Sequence, residues 1–112
     1  MLLEVDDRAF RALAHGDRRR LLRAIDGDER PVGDLAAELG LDQPIVSQHL
    51  KVLRDAGLVQ VRADGTRRLY AVEFRRIAEL RSFLDGFWST RLARLRDVAE
   101  SSGATGAAEA PR

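Results

Sequence analysis

The stretch LGLDQPIVSQHLKVLRDAGLV, residues 39–59, decides the fold because it contains the start, the buried stripe and the end of one helix. Asp42 is a good N-cap, and Pro44 then falls in the first turn, where its missing N–H costs nothing. The apolar residues spaced to form one buried stripe are Val46, Leu50 and Leu53. Gly57 follows the last turn, so the sequence predicts a helix over 43–56.

The outward face of this helix carries polar and basic side chains. At about 100° per residue, the residues opposite the apolar stripe are Gln43, Pro44, Ser47, Gln48, Lys51 and Arg54. In a major groove, Gln can pair with adenine, while Lys or Arg pairs with guanine or phosphate. No acid lies on this face between Gln43 and Arg54, although the chain has 18 acidic residues. A polar face alone is usually only solvated. The neighbouring elements must therefore decide between a DNA-binding face and an ordinary solvent-exposed one.

Three further helices are predicted before this one. The first covers 6–15, the second begins with Asp17 as its N-cap and ends at Gly27, and a short third covers 31–40. Residues 26–30 are predicted to form a loop. The third helix and the 43–56 helix, joined by a Gly-containing turn, form a helix-turn-helix. The arginines at 18–20 are expected either to reach DNA phosphates or to pair in solvent with Asp17, Asp26 and Asp28.

A hairpin is predicted after this helix pair. The runs LVQVRA (58–63) and TRRLYAV (66–72) are joined around Asp64-Gly65, and Asp-Gly between such runs favours a tight turn. The resulting wing, 60–72, contributes Arg62, Arg67 and Arg68 as predicted DNA contacts. Because alternate strand residues point to opposite faces, only one of Arg67 and Arg68 is expected to face DNA, while the other packs back.

A long helix over 74–100 and a disordered tail over 101–112 complete the chain. The predicted fold class is mainly α with a small β-hairpin, a winged helix-turn-helix of order α-α-α-α-β-β-α, in one domain over 1–100. Phe87 and Trp88 are adjacent, so both cannot face one narrow stripe, and wide apolar surfaces usually mark a partner. The predicted dimer interface comprises Leu2, Leu3, Val5, Phe10, Leu84, Phe87, Trp88, Leu92 and Leu95. Ordinary core packing of Phe87 and Trp88 is the alternative.

Three segments of the chain together resemble the ArsR/SmtB family of winged-helix transcriptional repressors. They are ALAHGDRRRLLRAI (12–25), VGDLAAELGLDQPIVSQHLKVLRDAGLV (32–59) and VRADGTRRLYAV (61–72). The family usually has a proline where Gly16 stands here. The resemblance implies a homodimer that joins its first and last helices and inserts two recognition helices into successive major grooves of an inverted repeat.

The same resemblance assigns DNA contacts to Gln43, Ser47 and Gln48, and the helical geometry adds Lys51. It does not carry over a metal site, because the chain has no cysteine and no histidine in its last helix. His15 is expected in a helix-linking loop, and His49 at the edge of the buried stripe, where it packs. Two histidines without cysteine or a further histidine at ligand spacing do not predict a transition-metal site. No metal and no cofactor are therefore predicted.

The totals exclude other classes of protein. A length of 112 residues is enough for one domain, and the net charge is only +1. The chain has no apolar run of membrane-spanning length. We therefore expect a cytoplasmic protein. It has no glycine-rich phosphate loop and no histidine beside a serine, so no enzyme is predicted. The predicted function is a homodimeric, sequence-specific transcriptional repressor that binds double-stranded operator DNA. The alternatives are a protein-binding winged helix and a sensor with a small-molecule site at the dimer interface near Trp88.

Overall fold

The computed structural model describes residues 6–102. The elements in chain order are α1 (Asp6–Leu13), α2 (Gly16–Ile25), β1 (Arg30–Pro31), α3 (Val32–Leu39), α4 (Gln43–Asp55), β2 (Val59–Asp64), β3 (Arg67–Val72) and α5 (Phe74–Ser102). The predicted fold class is confirmed, with one short strand added. The predicted interface residues Leu2, Leu3 and Val5, and the predicted tail from residue 103 onward, lie outside the described residues. Ser101 and Ser102 were predicted as disordered tail, but they form the end of α5.

The chain forms two compact units, one up to Leu80 and one from Arg81 onward. The core of the first unit is built from α1 to α4, the strands and the start of α5. Its largest completely buried side chains are Leu21, Ile25, Leu35, Val46, Leu50, Leu53 and Leu58. Burying each such side chain stabilises the fold by about 1.5–3 kcal/mol. The predicted stripe of α4 is therefore confirmed, and it fixes the rotation of α4 about its own axis.

The sheet has three antiparallel strands in the order β1-β3-β2. The two-residue loop of the hairpin is Gly65-Thr66, since Asp64 pairs with Arg67 at the end of the ladder. The turn predicted around Asp64-Gly65 thus begins one residue later, and Gly65 adopts a left-handed φ of 66°. Strand β1 was predicted as loop and helix, because two residues beside a proline show no strand periodicity. It pairs with β3 through Arg30 and Pro31.

Two predicted helix caps differ in detail. The N-cap of α2 is His15, whose Nδ1 accepts a hydrogen bond of 3.2 Å from the Asp17 N–H, so the prediction of Asp17 as the cap is wrong. Asp42 is the N-cap residue of α4, as predicted, but its side chain makes no capping hydrogen bond. Its backbone carbonyl instead accepts the N–H groups of Ile45 and Val46, both at 3.0 Å.

The arginines at 18–20 donate hydrogen bonds to carbonyls at the C-terminal ends of α1 and α3. Arg18 Nε donates to the Ala12 carbonyl at 2.7 Å, and Arg19 Nη1 donates to the Leu13 carbonyl at 2.7 Å. Arg20 donates to the Leu39 carbonyl at 3.2 Å and pairs with Asp17 at 3.0 Å. Carbonyls at a helix C-terminus lack partners within the helix and favour cations. The expected pairing with Asp17 is observed, and the three arginines also cap the C-terminal ends of α1 and α3.

The second unit exposes an apolar helix surface. Its exposed large apolar side chains are Phe83, Leu84, Phe87, Trp88, Leu92, Leu95 and Val98. Phe87 is 66% exposed and Trp88 45% exposed, so core packing of this pair is wrong for the single chain. The Phe83 and Phe87 rings meet edge to face at 5.3 Å. Among the described residues, no helix combines the length and apolar composition that crossing a membrane requires.

Candidate nucleic-acid interface

Helix α4 presents its polar residues to solvent. Because Val46, Leu50 and Leu53 are completely buried, the opposite side of the helix must face outward. The exposed residues of that side are Gln43, Pro44, Ser47, Gln48, Lys51 and Arg54. Within residues 6–102, the side chains of Gln43, Ser47 and Gln48 make no protein hydrogen bond, so their donors and acceptors are available to another molecule.

A groove separates α4 from the wing. Its lining residues are Ser47, Lys51, Arg54, Asp55, Arg68 and Tyr70. Arg68 pairs across the hairpin with Ala63, and Tyr70 pairs with Val61, so these side chains share one face of the sheet. Arg68 therefore lines this groove, while Arg67 lines an adjoining groove that also includes Gln43 of α4.

Three of the predicted DNA-contacting cations are already paired with carboxylates. Lys51 Nζ lies 3.2 Å from Asp55 Oδ2, and Arg67 Nη2 lies 3.6 Å from Asp64 Oδ2. Arg62 is paired with Glu29. In the described part of the chain, the guanidinium groups of Arg54 and Arg68 form no ion pair and no hydrogen bond. Exposed ion pairs contribute little to stability, so phosphates can compete for the paired cations. Arg54 and Arg68 have no ion pair to break before they bind a phosphate.

The Arg62–Glu29 pair has bidentate geometry. Arg62 Nε donates to Glu29 Oε2 and Nη2 donates to Oε1, both at 2.8 Å. The hydrogen bonds from Arg62 are the main reason that the pKa of Glu29 lies below its usual value, and they raise the pKa of Arg62. Both groups are therefore charged at neutral pH. This contact connects the wing to the segment before β1, and it occupies the guanidinium that was predicted to bind DNA.

His49 lies on α4 at the edge of its buried stripe and is half-buried, as predicted. Its ring centroid is 4.5 Å from that of His15, and its Nδ1 is 3.5 Å from Arg18 Nη1. Burial is the largest cause that lowers the pKa of His49, followed by electrostatic interactions with the neighbouring His15 and Arg18. Sequence spacing did not reveal that the fold places the two histidines side by side. His15, Asp17 and His49 bring three ligand atoms within 4.8 Å of one another.

Sequence reasoning missed two wing residues beside the predicted interface. Tyr70 lines the groove with Ser47 and Arg68, and Thr66 lines an adjoining groove that also includes Gln43 and Arg67. Tyr70 could have been found, because it is two residues after Arg68 on one strand and must share its face. Thr66 was predicted to lie in the second strand of the hairpin. It is a loop residue because the turn begins one residue later than predicted.

Comparisons with known proteins agree with this geometry. Residues 15–61 match the family model described as "Bacterial regulatory protein, arsR family". The chain is 43% identical over 97 residues to the HTH-type transcriptional regulator Rv2034 of Mycobacterium tuberculosis, covering 87% of this chain and 91% of that protein. It is similar to the crystal structure of a possible transcriptional regulator for arsenical resistance, with a TM-score of 0.67 and 37% identity over 91% of this chain and 100% of the other.

A second similar solved structure is that of a homodimer. The homodimeric winged helix-turn-helix DNA-binding domain of Mb0332 from Mycobacterium bovis, described as a possible ArsR-family regulator, matches with a TM-score of 0.61 and 30% identity. The match covers 78% of this chain and 81% of that domain.

Proposed function

Because this chain belongs to the ArsR family of bacterial regulators and is a DNA-binding transcriptional regulator with a winged helix-turn-helix, we propose that it is a homodimeric repressor of an inverted-repeat operator. The members of this family are transcriptional regulators, not enzymes. We propose that α4 enters the major groove and that the wing contacts the flanking backbone. Gln43, Ser47 and Gln48 read base edges, while Arg54 and Arg68 bind phosphates.

One surface supports this function more than any other. The amide and hydroxyl groups of α4 stand unbonded beside Arg54 and Arg68, and no carboxylate neutralises these two arginines within the described residues. Amides can make bidentate contacts to adenine, and guanidinium groups bind phosphates without sequence preference. A surface with both kinds of group can recognise a sequence and bind the backbone around it.

Homodimerisation is proposed from the second unit of the chain. Its exposed apolar residues form a patch that one copy leaves in water, and patches of this kind usually mark a protein interface. The homodimeric state of the Mycobacterium bovis relative supports a second copy as the partner. A two-fold dimer carries two copies of α4, so we expect two half-sites related by symmetry, about 34–36 Å or a multiple apart.

The proposal can be tested with random double-stranded DNA. Fragments selected by the untagged chain should converge on an inverted repeat, and its affinity should fall steeply with salt, since each neutralised phosphate contributes a slope of about −0.9 to log K against log salt. Fluorescence anisotropy at several salt concentrations measures this slope. Failure to enrich any sequence, an asymmetric consensus, or binding that ignores salt would contradict the proposal.

The Glu29→Gln substitution should strengthen DNA binding. It removes the carboxylate that holds Arg62 with two hydrogen bonds of 2.8 Å, so the guanidinium can turn to a phosphate at no cost of breaking an ion pair. Exposed ion pairs contribute little to stability, so the dissociation constant should fall only about two- to five-fold. Titration of a labelled operator at fixed salt gives this ratio.

Asp28→Asn is the matched control for that substitution. It removes the same charge one residue away, and its side-chain oxygen can still accept the Glu29 N–H, which Asp28 Oδ1 accepts at 2.9 Å. The control should gain less affinity than Glu29→Gln. Equal gains would indicate an effect of net charge only, and weaker binding by Glu29→Gln would mean that Glu29 orients Arg62 for DNA.

A further inference from the structure

The fold brings together the only two histidines of the chain. His15 precedes α2 and His49 belongs to α4, yet their ring centroids are 4.5 Å apart. Asp17, in the first turn of α2, adds a carboxylate to the pair. Among the described residues, these three alone form a cluster of histidine and carboxylate groups whose ligand atoms all lie within 4.8 Å of one another.

We propose that His15, Asp17 and His49 bind a divalent transition-metal ion such as Zn²⁺ or Ni²⁺. Two imidazole nitrogens and one carboxylate oxygen suit these ions, and water can complete the coordination. Mg²⁺ and Ca²⁺ prefer ligand sets made of oxygen and should not compete. Since ligand atoms around one zinc ion each lie about 2.0–2.2 Å from it, the cluster must contract slightly. The exposed His15 side chain can move to allow this.

The ion would replace three existing contacts. His15 Nδ1 accepts the Asp17 N–H at 3.2 Å, Arg18 Nη1 lies 3.5 Å from His49 Nδ1, and Arg20 lies 3.0 Å from the Asp17 carboxylate. Because these contacts must be given up or rearranged, we expect weaker binding than at a closed structural zinc site. The bound ion would connect the start of α2 to the DNA-reading helix and stabilise the folded chain. The site is independent of the proposed repressor function.

Thermal unfolding of the untagged full chain tests the proposal. An ion that binds only the folded state raises the unfolding midpoint, so Zn²⁺ and Ni²⁺ should each raise it, whereas Mg²⁺ at the same concentration should not. In parallel, NMR should show that one equivalent of Zn²⁺ shifts the ring signals of both histidines together. An unchanged midpoint with unshifted rings, or the same rise with Mg²⁺, would overturn the proposal.

His15→Asn separates the metal ligand from the helix cap. Asparagine is a strong N-cap and can still accept the Asp17 N–H, so the variant should fold like the original chain but lose the rise with Zn²⁺ and Ni²⁺. Asp34→Asn, a carboxylate in the first turn of α3 instead of α2, should keep that rise. A rise retained in His15→Asn would overturn the assignment of His15. His49→Gln should also lose the rise with Zn²⁺ and Ni²⁺. If this variant fails to fold, the histidine ring signals of the unmodified chain still test whether His49 binds the ion.

Discussion

The Phe87→Asp substitution should convert the proposed dimer into a monomer and leave the first unit folded. Phe87 is the most exposed large apolar side chain of the described residues, at 66%, so an aspartate there is solvated in the single chain. In an interface the same carboxylate would lose its water without gaining a partner, and leaving a buried charge unpaired costs about 3–5 kcal/mol. The dissociation constant of the dimer should therefore rise by more than about 100-fold.

Ala93→Asp is the control for this substitution. Ala93 is also exposed on the second unit, but it lies about 240° around the helix from Phe87, on the side away from the apolar surface. Sedimentation velocity over a range of concentrations should show a monomer for Phe87→Asp and a dimer for Ala93→Asp. Circular dichroism should show the same helix content in both. A dimeric Phe87→Asp, or equal dissociation of both variants, would exclude the apolar surface of α5 as the interface.

The elements predicted correctly from sequence are those whose signals are local. Helix α4 has an apolar stripe, a proline in its first turn and a glycine after its end, and each of these depends only on neighbouring residues. The hairpin was found for the same reason. Strand β1 could not be predicted, because two residues become a strand only by pairing with β3, a segment far along the chain.

The candidate site shows the same division. The outward residues of α4 follow from helical geometry, and their exposure is confirmed. The partners of the charged residues do not follow from helical geometry. Arg62 pairs with Glu29, 33 positions away in the sequence, and Arg18 donates to carbonyls of another helix. The contact between His15 and His49 likewise arises only when α2 packs against α4. Periodicity predicts which side of an element faces outward. It does not predict which residues from distant parts of the sequence contact that side in the folded chain.

The Gln48→Ala substitution should weaken binding to the operator and leave binding to unrelated DNA nearly unchanged. The Gln48 amide is exposed on α4 and makes no hydrogen bond in the described part of the chain, so its removal leaves no buried group unsatisfied. A bidentate base contact provides about 1–3 kcal/mol of discrimination, which corresponds to a loss of about 5- to 150-fold on the operator. The salt dependence of binding should not change, because no phosphate contact is lost.

Arg68→Ala provides the opposite pattern. Arg68 lies in the groove beside α4 with no carboxylate partner in residues 6–102, so we expect it to bind a phosphate. Its loss should weaken binding to operator and random DNA by the same factor and reduce the salt slope by about one. Anisotropy titrations of both variants against both DNAs, at several salt concentrations, distinguish the two roles. If Gln48→Ala and Arg68→Ala lowered specific and random binding alike, α4 would not be the element that reads the bases, and sequence preference would have to come from the wing or from DNA shape.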